Sequence, residues 1–285
     1  MQKYIISLIL LIVLAPLPSN AAPALWQVGS PQGQFLLLGS IHVGKQSTAA
    51  ELEAILARHQ VDKVVMEVSP ATMDMASMQQ AMARYGLLPP GQSLDGQLSP
   101  TTWTLFKNHS QAVGLPWQAM QQQRPWLAAL GLMQQALQQQ GFRPELGTEM
   151  QLLTLLGDRD IAGLESLERQ YRALASIDRY ADTMLEETLK EIGQLDQQLS
   201  PLLQAWHQGD IQALKGLCPL AKGAEPAVRH LHEETLAKRN REWLPRLKAL
   251  DGKNTLVVVG MAHIICEDGL LEMLRGQQLE VERLQ

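Results

Sequence analysis

The run TLVVVGMAH, Thr255 to His263, packs β-branched side chains together, then gives a glycine and, three residues on, a histidine. A short apolar run of this kind reads as a strand buried on both faces, which is what a parallel sheet needs. Near the other end, FLLLGSIH, Phe35 to His42, has the same arrangement: an apolar run, Gly39, and a histidine three positions later. Between Gly39 and Val68 the pattern supplies a crossover. Thr48-Ala-Ala-Glu51 reads as a capping box opening a helix with Leu52, Ile55, Leu56 and His59 on one face, and Val61 to Val68 reads as the next strand, closed by Ser69-Pro70. Strand, helix, strand in that order implies a right-handed connection and a parallel pair. After His263 come a short helix around Gly269 to Leu274 and an alternating edge strand at Leu279 and Val281. The expected fold class is α/β, with a parallel-type sheet core built from both chain ends, about 24–70 and 251–285.

From about 71 to 250 the pattern turns helical, and it reads as a large insertion. Pro125-Trp126 opens a helix that Gly141 ends; Glu149 to Leu156 gives another; Tyr171 to Leu199 reads as a long helical stretch in two pieces. One strand, Ile161 to Leu164, interrupts them and joins the sheet, as part of a 161–165 segment. Mets 66, 73, 75, 78 and 82 read as core filler. In LAKRNREWLPRLKAL, Leu236, Arg239, Trp243, Leu247 and Leu250 form one helical stripe, and Pro245 is expected to kink or split that helix.

Met1 to Ala21 reads as a cleaved signal peptide: Lys3, an apolar run to Leu17, and Ser19-Asn20-Ala21 before the cleavage point. The run is short for a membrane span, which takes about 20 apolar residues, so a retained anchor is the alternative, and no later segment is apolar enough to span. The expected location is periplasmic or extracellular. With 285 residues, a net charge of −5, a pI near 5.8 and no basic run, the chain excludes a disordered tail and makes nucleic acid a poor partner. Its 2 cysteines, Cys218 and Cys266, read as buried thiols, with one bridge as the alternative that export would permit. Neither sits in a C-x-x-C motif.

Chemistry concentrates at strand ends. His42 and His263 follow the first and last strands in matched G-x-x-H motifs, Glu67 ends the second strand, and Glu165 follows IAGL. Side chains just beyond the carboxyl ends of parallel strands line the ligand crevice. Two imidazoles and two carboxylates there suit a divalent metal or a proton-transfer site. Arg239 puts a permanent charge into an apolar stripe, so it either snorkels to solvent or points inward to hold a carboxylate or an oxyanion. His59, His109, His207, His230 and His232 have no such setting.

The segments FLLLGSIHVG, VVMEVSP, RPW, ELGTEMQLL, DIAGLESLERQ, AKRNREWLPRL and VVVGMAHIICEDGLLEMLRG occur in the order seen in the TraB/GumN family, and the chain resembles that family over 22–285. The family is related to the Tiki metalloproteases. The resemblance implies an exported metal-dependent hydrolase, a peptidase acting on an exported peptide or cell-envelope component. It implies His42, Glu67 and His263 as ligands of Mn²⁺, Co²⁺ or Zn²⁺, Arg239 as a further catalytic residue, and Glu149 and Glu165 as secondary candidates from the G-x-E and G-L-E positions. The alternatives are a non-catalytic protein that binds a peptide or envelope component, and a metal-free His/Glu hydrolase like the erythromycin-esterase-type fold. One departure stands out: the family usually has Gly where Cys266 stands, and a side chain there is expected to narrow the crevice. Oligomeric state is open.

Overall fold

The computed structural model describes residues 22–218, 225–252 and 254–285; the expected leader, 1–21, lies outside them. Six strands form one sheet in the order β4-β3-β5-β2-β1-β6: β1 Leu25–Ser30, β2 Gly33–Ser40, β3 Lys63–Val68, β4 Asp160–Glu165, β5 Thr255–Gly260 and β6 Val281–Arg283. β2, β3, β4 and β5 run parallel, so their carboxyl ends share one edge, with Ser40 opposite Gly260 and Val68 opposite Glu165. The α/β reading therefore holds, and β1 and β6 add an antiparallel margin, β1 forming a hairpin with β2. No described helix is long and apolar enough to cross a membrane.

The apolar runs bury both faces, as their continuity requires. Leu36, Leu38, Val64, Leu256 and Val258 meet α1 (Ala49–Arg58) and α5 (Thr148–Leu156) through Leu52, Ile55, Leu56, Leu152 and Leu156. On the other face, Leu37, Val65, Val257 and Val259 meet Trp206, Trp243, Leu247, Leu270 and Leu274. A separate core of Leu94, Phe106, Leu132, Phe142, Leu185 and Leu189 knits the insertion. Its helices are α2 Met75–Ala81, α3 Pro100–Ala112, α4 Pro125–Gln139, α6 Leu167–Ala175, α7 Ala181–Ile192, α8 Leu195–Gln208, α9 Ile211–Leu214, α10 Pro226–His232 and α11 Lys238–Lys248, followed by α12 Met261–Ile265 and α13 Leu270–Gly276. The 71–250 segment is thus not wholly apart from the sheet, since α5, α8 and α11 cover it.

Several local expectations change. Helix α1 begins after Thr48 without a capping box, because the Thr48 hydroxyl accepts from Gln151 instead. The stretch from Tyr171 is broken at Ser176–Tyr180 and again before Leu195, giving three helices. Pro245 does not split α11, which runs on to Lys248; the irregular turn lies upstream, a π-turn at Glu233–Ala237. Of the methionines, Met66 is core, but Met73 and Met75 are exposed, just before and at the start of α2.

Cys218 and Cys266 are bridged, with Cα atoms 5.3 Å apart, which corrects the buried-thiol reading. Such a pair is within the roughly 7 Å that a disulfide spans, and the sequence could not show it because 48 residues separate the two. The Cys266 side chain is drawn into this bridge and does not line the crevice. Cys218→Ser is expected to cost about 2–4 kcal/mol by freeing the unfolded chain. Denaturant midpoints of the two forms check this; equal midpoints under oxidising conditions would count against a formed bridge.

Candidate active site

Beyond the shared carboxyl edge lies a cavity of about 400 Å³ lined by His42, Glu67, Gln170, Arg239, Gly260 and His263, with Ile41, Leu217, Leu236 and Met261 among its apolar walls. All six site candidates gather at or beside it. Glu67 is the penultimate residue of β3 and Glu165 the last of β4; His42 lies two residues past β2 and His263 three past β5. A side-chain carbon at Gly260 would sit 3.4 Å from Glu67 Oε1, 3.6 Å from His263 Cδ2 and 3.9 Å from His42 Nε2. Both rings and the carboxylate therefore converge on one point.

Arg239 is the hub, and it is buried, not snorkelling, with 7% of its side chain exposed. Its Nε donates to Glu165 Oε1 and Oε2 at 3.0 and 3.2 Å, and its Nη2 to Glu67 Oε2 and Glu165 Oε1, both at 2.6 Å. Its Nη1 donates to Thr235 O and to His263 Nε2, both at 2.9 Å. A guanidinium carries five N–H groups, so every donor nitrogen is engaged inside the protein. That corrects the oxyanion role: Arg239 positions Glu67 and His263 and has no hydrogen free for substrate. Trp243 lies under the guanidinium at 4.8 Å and stacks on His263 at 4.4 Å.

The tautomer of His263 follows from its partners. Arg239 can only donate, so Nε2 accepts; Nδ1 then carries the proton and donates to Asn240 Oδ1 at 2.7 Å. Asn240 Nδ2 donates in turn to the carbonyls of His263 and Asp268, which fixes its amide. Burial, with Arg239 and His42 adding to it and Glu67 opposing, pushes the His263 pKa down to about 3. This imidazole stays neutral across the physiological range.

Burial alone would raise Glu67, but His263, Arg239 and His42, with the Gly260 N–H at 2.8 Å, hold its carboxyl at about 2. Since His263 is charged only at low pH, Arg239 and His42 do this near neutrality. Burial pushes the Glu165 carboxyl up against the pull of Arg239.

His42 is different. Its side chain is 73% exposed, and Nδ1 lies 2.8 Å from Glu149 Oε1, which also accepts from Ser40 Oγ at 2.5 Å. The Glu149 carboxylate holds the imidazole above its ordinary pKa, and His42 with Ser40 holds Glu149 below its own despite burial. Two loops laid together bring the pair within reach. Ile41 N–H donates to Thr148 Oγ1 and Thr148 N–H to Ile41 O, Gly44 bridges Arg143, and Gln151 ties Ser47 and Thr48. A Cβ at Gly147 would lie 2.2 Å from the His42 carbonyl oxygen. Gly147→Ala is therefore expected to push the loops apart and cost about 1–3 kcal/mol. Thermal unfolding checks this, and an unchanged midpoint would contradict the close approach.

These donors do not fit the expected metal. The Nε2 lone pair of His263 already accepts from a permanent cation, so His42, Glu67 and His263 cannot all be ligands unless Arg239 withdraws. Among the described residues no group of three His, Cys, Asp or Glu side chains is placed to hold a metal ion. Sequence reading also missed Asn240, Gln170 and Ser40. Asn240 could have been found, because it sits one turn after Leu236 on the buried face of α11; Gln170, which donates to Glu67 Oε2 at 3.3 Å, gave no signal.

The fold and site define a class: an α/β protein with an imidazole–carboxylate centre beyond the carboxyl ends of its parallel strands. The model of the TraB/PrgY/gumN family matches residues 24–283, and the chain belongs to that family. It is 24% identical over 244 residues to "Uncharacterized protein YbaP" of Escherichia coli (strain K12), covering 85% of this chain and 88% of that one. The protein of the same description from Shigella flexneri is 24% identical over 242 residues, covering 84% and 87%. No solved structure matches.

Proposed function

We propose that this protein is an exported hydrolase of amide or ester bonds, acting on a peptide or cell-envelope component without a metal. The observation that supports the reading is the His42–Glu149 pair: Nδ1 is fixed on a buried carboxylate while Nε2 faces the cavity beside Glu67 Oε1. No described residue bonds that Nε2. A base oriented by a carboxylate is the arrangement that proton transfer in acyl hydrolysis uses.

In the proposed reaction, neutral His42 takes a proton from water through Nε2 while the water oxygen bonds to the substrate carbonyl carbon. Glu67 Oε1 accepts from the other water hydrogen and holds its orientation. The carbonyl π pair moves to oxygen as the tetrahedral intermediate forms, and returns when that intermediate collapses. Glu149 stabilises the imidazolium, which returns its proton to the leaving nitrogen or oxygen as the bond to carbon breaks. Water is added and two products leave.

The test is protein made without a metal-binding tag, treated with chelator and assayed on peptide and ester libraries. Turnover that chelator leaves intact supports the reading. Turnover appearing only with Mn²⁺, Co²⁺ or Zn²⁺ returns the metal mechanism, and ligand binding without turnover with any metal supports sequestration. A pH profile adds a signed prediction. Activity needs neutral His42, so it rises with pH through the His42 pKa, which Glu149 holds above the ordinary value near 6.5. Glu149→Gln should move that acid limb to lower pH as it lowers the maximum; a limb that stays in place contradicts the pairing.

A further inference from the structure

A second cavity, about 250 Å³, shares a wall with the first, because Leu174 of α6 lines both. Trp126, Ala129 and Met133 of α4 face Met184 and Leu185 of α7 across it, and Leu130, 41% exposed, marks where it reaches the surface. Its two polar side chains, Asp178 and Thr188, are already engaged. Asp178 Oδ1 accepts from the Trp126 N–H at 2.8 Å and Oδ2 from Arg124 Nη1 at 3.4 Å, and Thr188 Oγ1 donates to Met184 O at 2.9 Å.

A bound peptide would need partners for its N–H and C=O groups, and these lining side chains keep theirs for the protein. A hydrocarbon needs none. Alone the cavity is smaller than the roughly 300–1,000 Å³ of a ligand site, but taken with the cavity beside His42 it falls within that range.

We propose that this cavity is a subsite for a linear acyl chain, so that the substrate is an acylated molecule whose carbonyl lies beside His42 and whose chain passes Leu174. The placement of the carbonyl rests on the hydrolase reading; the chain subsite does not. The same helix, α6, that carries Gln170 into the active site thus contributes Leu174 to both cavities.

The test titrates the intact protein calorimetrically with hexanoate, octanoate and decanoate. Each methylene buried in an apolar site is worth roughly fourfold in affinity, so affinity should climb by about that factor per carbon until the cavity is full. Ala129→Phe or Ala181→Phe, both at positions that line the cavity, should plug it and abolish the chain-length dependence, while His42→Ala should retain it. A flat series in the wild-type protein overturns the proposal, whether or not a plugged variant folds. So does a steep series that either folded plug leaves unchanged. A steep, pluggable series in a protein with no turnover keeps the subsite and removes the hydrolase; turnover with a flat series does the reverse.

Discussion

Arg239→Ala is expected to destabilise the protein by about 3–5 kcal/mol, because it leaves Glu67 and Glu165 buried with no cation between them. Both carboxylates, the His263 ring and the Thr235 carbonyl lose their donor together, and the gap beside Trp243 adds a packing loss. Arg239→Lys should recover little, since an ammonium has three hydrogens and no planar fork to meet acceptors arranged for five. A triple variant, Glu67→Gln, Glu165→Gln and Arg239→Met, should recover most of the stability, because it removes the unpaired charges along with the pair. Urea unfolding of the four proteins measures this. An Arg239→Ala midpoint equal to wild type would show that the guanidinium is not holding the cluster together.

His42→Ala should lower turnover by about 10²–10⁴-fold, the range for removing a general base, with the fold intact. The side chain lies past the end of β2 and is mostly exposed, while the strand is held by Phe35, Leu37 and Leu38 in the core. His263→Ala should behave otherwise. That ring is buried, accepts from Arg239 and donates to Asn240, so its loss should lower stability as well as activity. Equal activity losses with unchanged stability for both histidines would put them in one role and contradict the division drawn between them.

That division was beyond the sequence, although the site's location was not. The two G-x-x-H motifs placed His42 and His263 beyond strands, and Glu67 and Glu165 followed from the same logic of strand ends, because a short apolar run closed by a turn residue reads as a strand buried on both faces, whose carboxyl end borders the crevice. Arg239 announced itself as a charge in an apolar stripe. What it bonds depends on four partners, Glu67, Glu165, Thr235 and His263, drawn from four elements, and no spacing in one chain encodes that. The same holds for the disulfide, and for Thr48, whose hydroxyl had a local cap available and was taken by Gln151, a residue 103 positions away. The antiparallel hairpin of β1 was missed because LWQVGS is too short to show a clear period, and its pairing with β2 is set by the turn at Gly33.

The two imidazoles differ in protonation: Glu149 holds His42 above its ordinary value, whereas burial, with Arg239 adding to it, keeps His263 neutral, its Nδ1–H on Asn240. Nitrogen-15 NMR of the histidine rings tests this without any substrate. His42 should titrate above its ordinary value, and His263 should hold the Nδ1–H form through the neutral range, neither shifting nor broadening when one equivalent of Zn²⁺, Co²⁺ or Mn²⁺ is added. Stoichiometric metal that shifts or broadens His42 and His263 together, or a His263 ring that titrates near 6.5, would contradict the account.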